Sequence, residues 1–285
     1  MLIQWFPGHM AKTKKIIIEH LKAVDVAAEL LDARIPYSSS NPMIKELLGT
    51  KPHIVILNKA DLANPSDTSA WEAYFKKQGR QVISVSCNNG KDKKKLLREI
   101  RETAQPVLDK WERRGVKNRS ARIMILGIPN VGKSTLINFI SGTAATRTAN
   151  TPGHTRGKQW VRLAEGLDLL DTPGVLWPKF EDQEAALRLA ATGAIAGDVF
   201  DSSAVVMSLL KTLAVMAPEA IKEKYGIEDV HADPQLLLEQ AGRRRGCLLS
   251  GGAVDYGRAE AAVLHDFRSG KLGRITLDGV PAEVS

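Results

Sequence analysis

The sequence is poor in cysteine, in aromatic residues and in long apolar runs. Its two cysteines, Cys87 and Cys247, are too few for a disulfide framework and lack the spacing of metal ligands, so we expect a reducing compartment and no disulfide-linked partner. No apolar run reaches the roughly 18 residues that a membrane helix needs. The apolar stretch at 16–18 is also too short for a secretory signal. These features predict a cytoplasmic protein without a membrane partner.

The chain carries an excess of positive charge. Its 40 lysines and arginines outnumber 32 aspartates and glutamates, which gives a net charge of +8 and an isoelectric point near 9.4. Such an excess favours a polyanionic partner such as RNA. With 285 residues, 44% of them hydrophobic, the chain is long enough for a larger and a smaller domain.

The run GIPNVGKS at 127–134 has the spacing of a phosphate-binding loop. An apolar run at 122–126 predicts a buried strand before it, and the residues from 133 predict a helix whose N-terminus points at the phosphates. In such a loop Lys133 neutralises the β- and γ-phosphates, and the Ser134 hydroxyl binds Mg²⁺. The predicted nucleotide-binding residues of this segment are Asn130, Val131, Gly132, Lys133, Ser134 and Thr135.

The run NKAD at 58–61 follows an apolar stretch and predicts a guanine-binding motif. The Asp61 carboxylate can accept hydrogen bonds from guanine N1–H and N2–H₂, whereas adenine would leave this carboxylate unpaired. We expect the Lys59 stem to pack over the base and Asn58 to tie neighbouring loops together. The motif therefore predicts GTP and GDP as ligands.

A third contact to the base is predicted after the strand at 81–86. There a backbone N–H meets guanine O6, and the residues concerned are Ser86, Cys87 and Asn88. A cysteine at the centre departs from the usual Ser-Ala-Lys triplet. Because the backbone makes the contact, we expect little loss from this departure.

The carboxylate for the metal is predicted downstream, in the run DTPG at 171–174. Asp171 would hold Mg²⁺ through water, and the Gly174 N–H would contact the γ-phosphate. The polar loop at 150–157 is rich in turn residues and suits a mobile switch. We expect Thr155 to close over Mg²⁺ when a γ-phosphate is present, with Thr151 as the alternative.

The two nucleotide motifs come in the reverse of the usual order. The base motif precedes the phosphate loop, whereas in an ordinary GTPase the phosphate loop comes first. Helical stretches alternate with strands predicted near 24–32, 53–58 and 81–86, as is typical of a parallel sheet covered by helices. We therefore predict an α/β P-loop GTPase domain that is circularly permuted, with the original termini joined near 113–119.

The sequence changes character after the run DTPG. From about 180 onward it is rich in Ala, Leu and Glu with a helical period, and Asp233 and Asp255 have the pattern of helix starts. We predict a GTPase domain at 1–178 with a basic lead-in, and a small all-helical domain at 179–285 that binds RNA or the ribosome. The connector at 175–179 would let loss of the γ-phosphate reorient the helical domain.

These motifs and their order resemble the circularly permuted GTPases of the YlqF/YawG group. The similarity extends to the runs WFPGHM at 5–10, DARIP at 32–36 and RRGCLLSGGAVDY at 244–256. It implies a factor that binds and hydrolyses GTP while it acts on the large (50S) ribosomal subunit during late maturation. The partners would be 23S rRNA and ribosomal proteins, and the subunit would stimulate a low intrinsic rate.

The catalytic group is not evident from the motifs. Ras-like GTPases place a Gln after the metal-binding run to orient the attacking water, but Val175 stands here. The resemblance implies His9, which can accept a hydrogen bond from water; the alternative is a surface His. The resemblance also implies K⁺ activation through Asn130, and the alternative is a side chain that stabilises the loop.

The candidate RNA contacts are basic residues scattered along the chain. They are Lys12, Lys14, Lys15, Arg243, Arg244, Arg245, Arg258 and Arg268. At 243–245 the helix dipole alone would favour cations, and the last two arginines could lie on a merely solvated face. No aromatic-rich platform is present, so recognition of shape and phosphate is favoured over base reading.

Three functions are compatible with these sequence features: a GTPase of the large ribosomal subunit, a GTPase in another RNA process such as tRNA modification, and a metabolic P-loop kinase or ATPase. The guanine motif argues against the third function. No recognisable modification centre supports the second.

Overall fold

The structure is a computed structural model that describes residues 10–142, 160–170, 182–195 and 200–281. Its centre is a six-stranded sheet with the order β3-β2-β1-β4-β6-β5. All neighbouring strands are parallel except β5, which runs antiparallel to β6. The strands are β1 Val26–Asp32, β2 His53–Asn58, β3 Gln81–Ser84, β4 Ala121–Gly127, β5 Trp160–Ala164 and β6 Leu167–Leu170.

Strand β1 lies between the two strands that carry the nucleotide motifs. All seven of its residues are buried, as expected for a central strand with helices on both faces. Asp32 is in register with Asn58 at the end of β2, and Leu30 is in register with Gly127 at the end of β4. The carboxyl ends of parallel strands meet at one edge of the sheet, so the base loop and the phosphate loop are neighbours.

Helices cover both faces of this sheet. They are α1 Met10–Leu21, α2 Pro36–Ser39, α3 Pro42–Leu48, α4 Pro65–Lys77, α5 Gly90–Glu112 and α6 Lys133–Ser141. Asn64 accepts hydrogen bonds from two backbone N–H groups at the start of α4, where Pro65 occupies the first turn. On the basic lead-in, Ile17 and Leu21 are buried against Met124 of β4. The fold class predicted for this part of the chain is confirmed.

The remaining helices form the predicted all-helical region. They are α7 Gln183–Thr192, α8 Ser202–Met216, α9 Pro218–Tyr225, α10 Pro234–Arg244 and α11 Tyr256–Arg268. The helix starts predicted at Asp233 and Asp255 are confirmed, since both side chains cap their helices. Leu189 and Leu210 of this region belong to the same hydrophobic core as Leu30 of β1. The predicted boundary near 178 lies outside the described residues.

No individual helix within the described ranges has the length and apolar character of a membrane span. Helices α8 and α9 reach the length and apolar composition of a span only when they are taken together, and the chain bends by 114° between them.

A C-terminal tail at 269–281 returns from α11 to the nucleotide-binding part of the fold. Its backbone N–H at Ile275 donates to Leu62 O (3.1 Å), and the N–H at Leu277 donates to Arg34 O (2.7 Å). No signal in the sequence predicted this path. The last part of the chain therefore does not pack within the helical region alone.

Strand β5 and helix α2 are among the elements that were absent from the sequence prediction. Strand β5 pairs at the edge of the sheet, and the exposed residues Trp160 and Arg162 alternate along it with less exposed ones. Because β5 has only five residues that alternate in exposure, the sequence contains no continuous apolar run there that would indicate a strand. Helix α2 is a single turn that starts with Pro36.

Candidate nucleotide site

The phosphate loop joins the end of β4 to the start of α6. Gly132 precedes the helix in a left-handed conformation (φ 100°), which glycine adopts without strain. The Lys133 ammonium folds back and donates to Gly127 O (2.8 Å) and Ile128 O (2.7 Å). Burial lowers its pKa to about 8. The loop thus places one cation and the N-terminus of a helix at the same point, as a polyphosphate requires.

The hydroxyls that follow Lys133 fit a hard metal ion. Ser134 and Thr135 are exposed at the start of α6, and neither hydroxyl has a partner among the residues described. An unpaired Ser134 hydroxyl beside the phosphate position suits one ligand of Mg²⁺. Other predicted ligands and switch residues lie outside the described ranges, namely Thr151, Thr155, Asp171 and Gly174.

The side chain of Asn58 joins the base loop to the phosphate loop. It is buried, and its amide donates to Val131 O (2.9 Å). A Cβ at Gly132 would lie 2.5 Å from the Asn58 amide nitrogen. A glycine is therefore required there for contact as well as for conformation. This contact is the loop-joining role expected of Asn58.

Lys59 is held by two oxygens at the end of the sheet. Its backbone is left-handed (φ 59°), and its ammonium donates to Asn130 O (3.1 Å) and to the Asp32 carboxylate (2.9 Å). Burial by itself would raise the pKa of Asp32, but Arg34 and Lys59 outweigh it and lower this pKa to about 2. Asp32 stands in the run DARIP, to which the sequence alone assigned no role.

Asp61 presents a carboxylate to solvent beside the Ser-Cys-Asn triplet. The Asn88 amide donates to one of its oxygens (3.1 Å). Within the triplet, Ser86 N–H donates to Asp92 (2.8 Å) and Asn88 N–H donates to Ser86 Oγ (3.2 Å). The Cys87 N–H has no partner in the part of the chain that the structure describes. It is therefore the triplet's candidate donor to guanine O6.

The Cys87 thiol is half-buried and unsuited to nucleophilic chemistry. Burial raises its pKa to about 11, with further contributions from the Asp61 and Asp92 carboxylates. Its sulfur lies 3.5 Å from the Asn58 side-chain oxygen. Cys247 is buried as a free thiol. The side chain at 87 thus packs beside the base loop, while its backbone remains available.

The C-terminal tail braces the base loop from outside. The Arg274 guanidinium donates to Ala60 O and Ala63 O, both at 2.9 Å, on either side of Asp61. Sequence patterns could not reveal this contact, because the partners are more than 200 positions apart and are backbone carbonyls.

The phosphate loop also contacts the helical region. The Asn130 amide donates to Gly193 O (2.9 Å) just past α7, and Arg268 of α11 donates to Ala190 O (2.7 Å) and Ala191 O (2.9 Å). The Asn130 contact supports the loop-stabilising alternative. The Arg268 guanidinium is half-buried and occupied within the protein, so we withdraw Arg268 from the predicted RNA surface.

The other predicted RNA contacts differ in exposure and in whether their charged groups already have partners within the protein. Arg244 is exposed and has no side-chain partner within the described ranges. Arg258 is exposed with one long hydrogen bond of 3.5 Å to Leu248 O. Arg243 is paired with Glu239 and Arg245 with the buried Asp266. Lys15 is exposed. His9 and the side chains of Lys12 and Lys14 lie outside what the structure describes.

The chain is similar to known GTPases along nearly its whole length. A family model described as "50S ribosome-binding GTPase" matches residues 122–234. A protein of Bacillus cereus named "Ribosome biogenesis GTPase A" is 44% identical over 278 residues, which cover 98% of this chain and 94% of that relative. The chain belongs to the ribosome biogenesis GTPase A family.

Solved structures agree with this membership. The GNP-bound YlqF of Thermotoga maritima is 29% identical with a TM-score of 0.68, and covers 94% of this chain and 98% of its own. The GDP-bound form is 28% identical with the same TM-score, at 93% and 98% coverage. As a member of the ribosome biogenesis GTPase A family, the protein is a GTPase that converts GTP to GDP and phosphate, and its predicted circular permutation is confirmed.

Proposed function

We propose that this GTPase binds the large (50S) ribosomal subunit during late maturation and uses GTP as a conformational switch. Similarity to a ribosome biogenesis GTPase over 98% of the chain carries the proposal, because it includes the helical region as well as the nucleotide site. The exposed arginines of the helical region, Arg244 and Arg258, support a polyanionic partner. We propose contacts to 23S rRNA and ribosomal proteins, in the cytoplasm.

In the proposed mechanism the described residues bind and orient GTP. Asp61 and the Cys87 N–H select the guanine base, while Lys133 and the loop N–H groups hold the phosphates. Ser134, together with Asp171 and Thr155, would hold Mg²⁺, which would supply positive charge to the phosphate oxygens. Loss of the γ-phosphate would release Thr155 and Gly174, and the connector at 175–179 would pass that change to the helical region.

We propose K⁺ as a second source of positive charge beside the phosphates. The Asn130 amide nitrogen is occupied by Gly193 O. Its side-chain oxygen has no partner among the residues described, and it is the ligand we propose for K⁺. Dependence of the hydrolysis rate on K⁺ over Na⁺ would test this ligand.

Binding to the subunit can be tested by co-sedimentation with purified large subunits. We expect retention that is stronger with a non-hydrolysable GTP analogue than with GDP. The double variant R244A/R258A should weaken retention at every salt concentration and reduce the salt slope by about 2, since two phosphate contacts are lost. K110A removes one exposed charge from α5 as a control and should leave the slope unchanged.

Retention that is absent in both nucleotide states would contradict the proposal. If tRNA is retained instead, the function belongs to another RNA process such as tRNA modification. If K110A weakens retention by about half as much as R244A/R258A, in proportion to the charge removed, then only total charge matters.

His9 is our proposed water-positioning residue, because Val175 cannot orient water. H9A is expected to lower the subunit-stimulated GTPase rate by on the order of a hundredfold, which is the usual contribution of one proton-accepting group. GDP affinity should stay unchanged. The control H231A alters an exposed His of the helical region and should keep the stimulated rate. A normal stimulated rate in H9A would remove His9 from the mechanism.

A further inference from the structure

The charged end of Lys59 is held by two oxygen atoms of the protein itself. Its ammonium lies between Asn130 O of the phosphate loop (3.1 Å) and the Asp32 carboxylate at the end of β1 (2.9 Å). The Asp32 side chain is only 3% exposed and that of Lys59 is 25% exposed. A free lysine side chain samples many rotamers, and ordering it on binding would cost affinity.

Asp32 is itself held rigidly. Arg34 donates to both carboxylate oxygens, from Nε at 2.9 Å and from Nη2 at 2.7 Å, and the Arg34 backbone N–H adds a third bond at 3.1 Å. The backbone N–H of Asp32 donates to Ser39 Oγ (3.1 Å). Arg34 in turn lies 5.5 Å from the centre of the Phe267 ring on α11. A carboxylate anchored in this way is a fixed point for the lysine.

Sheet order explains why this position can reach Lys59. Strand β1 lies between β2 and β4, so its end faces both the base loop and the phosphate loop. Asp32 is directly in register with Asn58, the residue before Lys59. A side chain at the end of β1 is therefore within reach of the Lys59 ammonium.

We propose that Asp32 is a positioning residue for guanine-nucleotide binding, which acts by fixing Lys59 where its stem covers the base. The proposal deepens the nucleotide site and rests on the assignment of Lys59 to the base. Without the Asp32 charge, only neutral oxygen atoms would be left to hold the ammonium. The stem would then have to be ordered during binding, and guanine nucleotides would bind more weakly.

A double-mutant cycle on the full-length protein tests this role. D32N keeps the shape of the side chain and removes its charge, while K59M keeps an apolar stem and removes the ammonium. We expect D32N to weaken GDP affinity roughly tenfold in the otherwise unaltered protein, and less than about twofold in the K59M background. The measurement is displacement of a fluorescent GDP analogue, with melting temperatures to show that each variant is folded.

E29Q is the matched control. Glu29 is another buried carboxylate on β1, and it pairs with Arg80, which directly precedes β3 at the amino-terminal edge of the parallel strands, opposite to the edge that carries the nucleotide loops. Loss of its charge should lower the melting temperature, as we also expect for D32N, but leave GDP affinity within about twofold. A purely structural role of Asp32 predicts that both variants behave alike.

Three results would overturn the proposal: D32N weakens GDP binding equally with and without K59M, E29Q weakens it as much as D32N, or K59M alone has no effect. Should D32N not fold, D32E takes its place in the cycle. That substitution keeps the charge but moves it, and its effect should likewise vanish in the K59M background. Subunit co-sedimentation is measured separately, so failure of the cycle and failure of the ribosomal proposal are distinguishable.

Discussion

D61N is expected to move the protein's preference from guanine to xanthine nucleotides. The amide that replaces the carboxylate would point an N–H₂ group at the N2–H₂ group of guanine, so two donors would face each other. Xanthine carries an oxygen at that position and can accept the hydrogen bond. We expect the ratio of GTP to XTP affinity to change by roughly 10³- to 10⁵-fold, because a buried donor or acceptor without a partner is rejected strongly. Competition binding with GTP, XTP and ATP measures this ratio.

D67N controls for the loss of one negative charge beside the base loop. Asp67 lies in the first turn of α4, six positions further along the chain. We expect its substitution to leave the GTP to XTP ratio within a factor of about two, as for a surface change away from the ligand. If D61N retains its affinity for GTP, then Asp61 does not read the base.

D278A is expected to destabilise the protein more than a substitution that breaks an ion pair on the surface. Asp278 of the C-terminal tail is 1% exposed, and it accepts from Ser38 N–H (2.7 Å), Ser38 Oγ (2.8 Å) and Arg188 (3.0 Å). Alanine would leave these buried donors unpaired. We expect the free energy of unfolding to fall by about 3 kcal/mol, within the range for breaking a buried pair. Denaturant titration followed by circular dichroism measures the loss.

The control for this loss is E219A, which removes a surface ion pair. Glu219 is 82% exposed and pairs with Lys222 one turn further along α9. Such pairs contribute at most about 0.5 kcal/mol, so E219A should be nearly neutral. A D278A variant as stable as E219A would mean that the tail contributes little to holding the two parts of the fold together.

The tail also connects the two functions proposed for the protein. Arg274 donates to Ala60 O and Ala63 O in the base loop, and Asp278 is paired with Arg188 of α7. If the helical region moves when it binds a subunit, these contacts would transmit the movement to the base loop. This route differs from the one proposed above through the connector at 175–179.

Much of the sheet could be predicted because its strands are continuous apolar runs with turn residues at their ends. The run from His53 to Leu57 predicts β2, and Pro65 after Asn64 marks the start of α4. Strand β5 could not be found this way, since its pairing with β6 depends on a partner strand and not on its own hydrophobicity. The RNA surface was predicted from charge alone. The prediction was wrong for Arg268, because the positions of the carbonyl groups that this arginine binds cannot be deduced from its charge.

The sequence by itself determined the nucleotide class, the order of the motifs and the family. These depend on side chains at short fixed spacings, and the geometry of a loop between a strand and a helix follows from its local residues. Only the tertiary structure decided that Asp32 holds Lys59, that Arg274 braces the loop around Asp61, and that Arg268 is occupied. Those contacts join residues brought together by strand order and helix packing, and no local pattern in a single sequence encodes which distant groups will meet.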